Sequence, residues 1–473
     1  MPSQWLPVAD LAAKVRSKEL SATQLVEQAL TTIDTNQQYQ AIIATTTERA
    51  RQRAKAIDAD IAAGKPAGRL AGVPFIAKDN FLVFGAETTA ASNILRGFNA
   101  PYQATVINKL EAEGAICVAK ANLDAFGHGA STENSDFFTT KNPHDTTRVP
   151  GGSSGGSAAA VVLDMVPFAL GTDTGGSTRQ PASLSGCIGY KSTYGLMSRS
   201  GIVAMASSTD TVGTLARSCD DAALVIDVMA GRDELDATTI ERVDSYIDAA
   251  IDLKTAKIGI IKEWMGEGLA DNVKDCIEAA ITKLRQSGAT VSEVSIASLP
   301  LALAVYYILV PAEISSNLSR YDGQRYGYSQ ADAKDLEQSY RQSREIGFGK
   351  EAKRRIMIGA YVLSSGYYDA YYKKAQTVRT KLINEFNEAF GQFDFLLGPV
   401  APTTAFKIGA NVDPLQMYLC DVMTVAASMV GCPSISIPAG MSDGLPVGLQ
   451  VIAPQKADKQ LLGLARRLEE LLA

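Results

Sequence analysis

After Gly72 the chain alternates short apolar runs with helical patterns, and this alternation constrains the fold more than any other feature. VPFIAKD (73–79), AICVAKAN (115–122) and VPFALGTD (166–173) are separated by helical patterns near 104–113 and 156–164. Apolar runs of that length read as strands buried on both faces, and an intervening helix returns the chain for parallel pairing. The pattern resumes with KIGIIKE (257–263), a helix over 271–286 and TVSEVSI (290–296), followed by helical segments to about residue 390. Strands return as DFLLGP (394–399), SISIPAG (434–440) and VGLQVIA (447–453), before a closing helix from about 457. Strands at both ends of the chain point to one α/β domain over 1–473. The expectation is a central twisted, mixed and largely parallel sheet with helices on both faces.

Ser21 and Gln24 form a capping-box pattern, and residues 46–63 are rich in Ala, Arg and Glu. Residues 1–70 therefore read as a helical flank, ahead of the 72–220 core in which the glycine- and serine-rich loops lie. Residues 232–256 read as a surface connection. The chain is 46% hydrophobic and 20% charged with a formal net charge of −6, and has no run of five Lys/Arg, which argues against a broad basic face for nucleic acid. Six cysteines, at 117, 187, 219, 276, 420 and 432, form no CxxC pair, so neither a metal site nor a disulfide framework is expected, and a reducing cytoplasm fits. The N-terminus has no basic region followed by a long apolar core. The longest nearly apolar run, Leu299 to Ala312, looks too short to span a bilayer and holds two prolines. No membrane contact is expected.

The segment PGGSSGGS (150–157) fits three readings by composition: a linker, a phosphate loop or a nucleophile loop. It runs directly into an Ala/Val helix between strands, which is not where linkers sit. A phosphate loop needs Lys and Ser/Thr after its last glycine, and no lysine follows Gly156. GxSxG fits on Ser153 or Ser154, but a nucleophile elbow needs a later histidine, and the only two, His128 and His144, lie upstream. Both histidines read as loop or structural residues. A serine without histidine needs another base, and a desolvated lysine can serve. Lys78, at the end of VPFIAK, is the candidate. A second loop, GTDTGGS (171–177), strings small residues together so that backbone N–H groups can converge on an oxyanion.

Lys78, PGGSSGGSAAA and GTDTGGSTRQPAS, in that order and with Ser153 and Ser177 24 residues apart, resemble the amidase signature family. The resemblance implies that family's fold. It implies Ser177 as nucleophile, Ser153 as a relay serine with an unusual cis peptide link, Lys78 as terminal base, and an oxyanion hole of backbone N–H groups across Thr174, Gly175, Gly176 and Ser177. Ser154 would be a hydrogen-bonding neighbour. Neutral Lys78 would take a proton from Ser153 and Ser153 one from Ser177, which attacks an amide carbonyl and leaves an acyl-enzyme for water.

Within that family the chain is most similar to the glutaminase subunits of tRNA-dependent amidotransferases, through STENSDFFTTKNPHDTTRVPGGSSGGS, SSNLSRYDGQRYG, KRRIMIGAYVLSSGYYDAYYKKAQ, GPVAPTTAFKIG and DGLPVGLQVIAP. This implies glutamine as substrate and ammonia passed to a B subunit, with a small C subunit completing a heterotrimer. ATP and Mg would be used on the B subunit, which also takes the misacylated tRNA, and no cofactor is implied in this chain. Arg355, with Arg354 as fallback, would hold the glutamine carboxylate, Asp421 its ammonium, and Tyr306 would line the pocket. A stand-alone amidase acting on another small amide is the alternative. The sequence departs from the family at Asp124-Ala125-Phe126, where Asp-Glu-Phe is usual, at Thr178, where isoleucine is usual, and at Ser192. These departures bear on pocket tuning or the ammonia route and remove no catalytic group.

Overall fold

A computed structural model describes residues 4–242, 244–410 and 413–473. Eleven strands form one sheet: β1 (Ile42–Thr45), β2 (Pro74–Lys78), β3 (Ile116–Ala121), β4 (Phe168–Asp173), β5 (Ile188–Lys191), β6 (Thr211–Ala216), β7 (Lys257–Ile261), β8 (Thr290–Val294), β9 (Phe395–Pro399), β10 (Ser434–Ser442) and β11 (Leu445–Ile452). The order across the sheet is β1-β3-β2-β4-β6-β5-β10-β11-β9-β7-β8. Every residue of β2, β3, β4, β6, β9 and β11 is buried, so both faces are covered.

The sheet is mixed, but its parallel share is smaller than the helical alternation suggests. The pairs β2–β3, β2–β4, β7–β8 and β7–β9 are parallel. The pairs β1–β3, β4–β6, β5–β6, β5–β10, β10–β11 and β9–β11 are antiparallel. Four of the six antiparallel pairs involve strands the pattern did not reveal, and the other two join the late strands β9, β10 and β11. β1 is four residues long and leaves the helical flank only briefly. β5 (IGYK) and β6 (TVGTLA) have their apolar periodicity broken by glycine. Those glycines are demanded by packing: a Cβ on Gly189 would strike Ala182, and one on Gly213 would strike Thr178, because helix Arg179–Ser185 lies directly on these strands.

The flank holds helices Val8–Arg16, Ala22–Thr35 and Thr47–Ala62, and the Ser21/Gln24 capping box is present in both directions. Helix Asp271–Gln286 occupies the expected bounds, and the closing helix is Asp458–Leu472. Within 232–256, Tyr246, Ala249, Leu253 and Ala256 are buried in the main core, so this connection is partly internal. The apolar run from Leu299 continues as one helical stretch to Arg320, which is long and apolar enough to cross a membrane by length and composition, contrary to the reading from residues 299–312. Here it packs on helices Lys350–Val362 and Lys374–Phe390, burying Val305, Tyr306, Leu309, Val310 and Ile314.

Candidate active site

The site forms at the carboxyl ends of β2 and β4, where two small-residue loops meet. Lys78, the last residue of β2, is fully buried. Its Nζ donates to Ser153 Oγ at 2.7 Å, Ser154 Oγ at 2.9 Å and Thr172 Oγ1 at 3.0 Å. Burial pulls its pKa from 10.5 down to about 7, against the opposing fields of Asp124, Asp173 and Asp210. A neutral amine is therefore populated near neutral pH.

Ser153 and Ser154 stand at the start of helix Gly155–Val162, and the Gly152–Ser153 peptide is cis. Glycine is required at 152 because a Cβ there would run into the Asp124 carboxylate and the Ser131 backbone. Asp124 accepts the N–H groups of Thr132 and Asn134, and burial raises its carboxyl to about 6. The Ser153 loop is tied to the second loop by Ser154 N–H, which donates to the Ser177 carbonyl at 3.0 Å. Among the described residues no hydrogen bond joins the Ser153 and Ser177 hydroxyls, so the Lys78–Ser153 half of the expected relay is closed and the other half is open.

The second loop is held from beneath by Asp173. Its carboxylate accepts the N–H of Gly176 at 2.8 Å and of Thr178 at 3.2 Å, and pairs with the buried Arg179 guanidinium at 2.8 Å. Burial alone would raise this carboxyl, but the charge and hydrogen bonds of Arg179 hold it down at about 2. Gly176 N–H is thus committed to Asp173, whereas those of Thr174, Gly175 and Ser177 have no partner among the described residues. Of the four expected oxyanion donors, three remain free. Thr424 Oγ1 donates to the Gly175 carbonyl at 2.6 Å. A Cβ on Gly175 would meet the Tyr306 ring at 2.6 Å, so only glycine lets Tyr306 close against the loop.

Tyr306 leads into an aromatic, charged wall. Tyr307 donates to Asp421 at 2.8 Å and stacks on Tyr418 with ring centroids 3.9 Å apart. The Arg355 guanidinium lies over both rings, 5.3 and 5.6 Å from their centroids, and its Nε pairs with Glu351 at 2.8 Å. Burial raises the Asp421 carboxyl to about 7, opposed by the Tyr307 hydrogen bond and Arg355. Arg355 and Asp421 are both buried, while Arg354 is substantially exposed and also pairs with Glu351. Of the two arginines, Arg355 is the one that lies against the Tyr307 and Tyr418 rings. Thr172, Glu351, Tyr307 and Tyr418 join the site without having been read from the sequence. Thr172 lies inside GTDTGGS and Tyr307 adjoins Tyr306, but Glu351 and Tyr418 give no local signal. Among the described residues no cluster of three or more His, Cys, Asp or Glu side chains is arranged to hold a metal ion.

A buried lysine bonded to a serine, with two serine loops meeting at the strand ends, is the arrangement of a serine amide hydrolase, and residues 24–462 match the amidase family model; the chain belongs to the amidase family. Relatives include the A subunit of glutamyl-tRNA(Gln) amidotransferase from Geobacillus thermodenitrificans, 47% identical over 98% of this chain and 96% of that one. The protein of the same name from Thermoanaerobacter pseudethanolicus is 48% identical over 98% and 96%. The crystal structure of its Thermotoga maritima namesake superposes with a TM-score of 0.82 at 40% identity, covering 98% of this chain and 94% of that one. A bacterial aryl acylamidase has a TM-score of 0.87 at 26% identity, covering 100% and 97%.

Proposed function

We propose that this chain is the glutaminase subunit of a glutamyl-tRNA(Gln) amidotransferase. The observation that carries the reading is Lys78: fully buried, bonded to Ser153 at 2.7 Å and with its pKa pulled down to about 7, so that a neutral fraction exists at pH 7. Amidotransferase relatives at 47–48% identity, against 26% for the aryl acylamidase, favour it over a stand-alone amidase.

Lys78 takes the Ser153 proton, Ser153 takes that of Ser177, and Ser177 Oγ attacks the side-chain amide carbon of glutamine. Substrate entry closes the open half of the relay, as hydrogen bonds in an unliganded site commonly tighten only in the complex. The N–H groups of Thr174, Gly175 and Ser177 hold the oxyanion, and Asp173 keeps the loop in shape through Gly176. Protons return along the same path, ammonia leaves, and water releases glutamate from the acyl-enzyme. Arg355 receives the substrate carboxylate and Asp421 its ammonium, which returns the Asp421 carboxyl to its ionised form. Residues 1–473 act as one amidase unit in the cytoplasm, with B and C subunits as partners. The B subunit uses ATP and Mg to activate misacylated tRNA and receives the ammonia. Asp-tRNA(Asn) is a second substrate to be assayed.

The test combines the chain with its B and C partners, ATP, Mg and Glu-tRNA(Gln). Ser177→Ala abolishes product made from glutamine but not product made from added ammonium. Undiminished glutamine-dependent product from the variant overturns the nucleophile assignment, and amidation by neither donor overturns the amidotransferase reading.

A further inference from the structure

His128 is fully buried, and neither of its ring nitrogens has a hydrogen-bond partner among the described residues. The chain's other histidine, His144, is bonded through Nε2 to the Ser185 carbonyl at 2.9 Å. An imidazole left with both donor and acceptor unmet in the interior is destabilising, so its retention implies a partner that the folded chain does not itself supply.

The placement of His128 indicates what that partner is. Gly127, just before it, packs on Ser153: a Cβ there would sit 3.5 Å from Ser153 Oγ. Just after it, Ala130 and Ser131 form the wall against which Gly152 is pressed. Its ring lies 6.0 Å from that of Phe126. Burial keeps the ring uncharged, and the positive charge of Arg355 adds to that effect. The loop that carries His128 thus backs the relay serine, while its ring feels the arginine assigned to the substrate carboxylate. A neutral N–H suits this place. It adds a donor to a carboxylate already balanced by Arg355, without repelling either the guanidinium or the substrate ammonium.

We infer that His128 is a substrate-recognition residue whose ring N–H donates to the α-carboxylate of bound glutamine beside Arg355. This rests on the glutaminase reading. It gives the pocket a second, uncharged contact with the group that distinguishes an amino acid from a simple amide.

The chain has only two histidines, which makes the ring directly observable. Full-length Ser177→Ala protein, labelled with 15N-histidine and assigned by His144→Asn, is titrated with L-glutamine and with 4-aminobutanamide, the same molecule without the carboxylate. The His128 ring signals move with glutamine and stay in place with 4-aminobutanamide. By calorimetry in the same background, His128→Phe weakens glutamine binding about tenfold, as expected for one hydrogen bond to a charged group. It leaves 4-aminobutanamide binding within about twofold, and His128→Gln restores most of the glutamine affinity. Thermal unfolding of each variant checks the fold, and the ring signals of the unmutated His128 test the inference even where a variant does not fold. Unmoved ring signals with glutamine bound, or equal affinity in His128→Phe, overturn the inference and leave an ordered water as the ring's partner. Failure of the parent enzyme and its partners to consume glutamine overturns the glutaminase reading instead, and this inference with it.

Discussion

Lys78 and Lys120 stand on neighbouring parallel strands, one residue out of step: Lys78 opposite Ala121, and Ala77 opposite Lys120. Both are completely buried. Lys120 Nζ meets the Asp79 carboxylate at 2.7 Å and Thr88 Oγ1 at 3.1 Å, and Asp79 in turn accepts from the Thr89 N–H and hydroxyl. Lys78 meets three hydroxyls and, at 3.5 Å, a carbonyl, while its nearest influential carboxylates act only through space. Burial is the same in the two cases, so it is the partner that decides the role. A carboxylate in contact makes a buried lysine a strut that ties two strands and a loop together. Hydroxyls alone leave it free to lose its proton.

The widest gap between the two lysines appears in turnover. Lys78→Met lowers glutamine hydrolysis by roughly 10³-fold, because no other base reaches Ser153. Folded Lys120→Met protein keeps its chemistry within about tenfold, and steady-state assays separate the two. In stability the order reverses. Lys120→Met strands the Asp79 carboxylate in the interior and costs about 3–5 kcal/mol, read from denaturant midpoints, and Asp79→Leu added to it recovers a large part. Lys78→Met removes a buried amine that no carboxylate contacts and raises the midpoint.

Making the first site resemble the second is a sharper test. Thr172→Asp places a carboxylate where Thr172 Oγ1 now accepts from Lys78, so the lysine stays charged to higher pH. In the parent, kcat/KM rises with pH through about 7 as Lys78 loses its proton. In the variant that rise moves up by a unit or more, with about tenfold lower activity at pH 7 and recovery near pH 9. An unshifted profile removes Lys78 as the titrating base.

The smallest effect is thermodynamic. The folded pKa of Lys78, about 7, lies below its ordinary 10.5, so between those values the unfolded chain holds a proton that the folded one has lost. Stability relative to Lys78→Met therefore rises with pH across that window, by about 1 kcal/mol between pH 7 and 8, and is flat below it. A flat difference from pH 6.5 to 9 would mean that Lys78 stays charged throughout.

The residues nearest the chemistry were also the most legible. Lys78 ends an apolar run, and the serine loops announce themselves through glycine, because close backbone approach excludes side chains at 152, 175 and 176. Three short or glycine-interrupted strands were not legible, since a residue chosen to let a helix approach erases the pattern that marks a strand. The wall around Arg355 was read only through family resemblance. Glu351 and Tyr418 lie 67 positions apart and meet through a hydrogen bond of 3.1 Å, which no local pattern records. His128 reads as structural from its place ahead of the serines, yet order along the chain decides only against an elbow and says nothing about binding.

Asp173 grips the second serine loop, and Arg179 holds Asp173 while also donating to the Thr424 carbonyl at 3.0 Å, to Gln450 at 2.6 Å and to Ser428 at 3.1 Å. Gln450 belongs to β11, which with β10 sits mid-sheet between β5 and β9. The last helix is fastened to the early half as well, since Asp458 accepts from Tyr190 and Thr193. A growing chain that has already emerged with Lys78, Ser153 and Ser177 therefore still lacks the groups that fix their geometry. Those contacts come only with the final strands, so a chain released early, or clipped near its C-terminus, is expected to carry Lys78, Ser153 and Ser177 without the groups that hold the second loop in shape, and to show no amide hydrolysis when assayed.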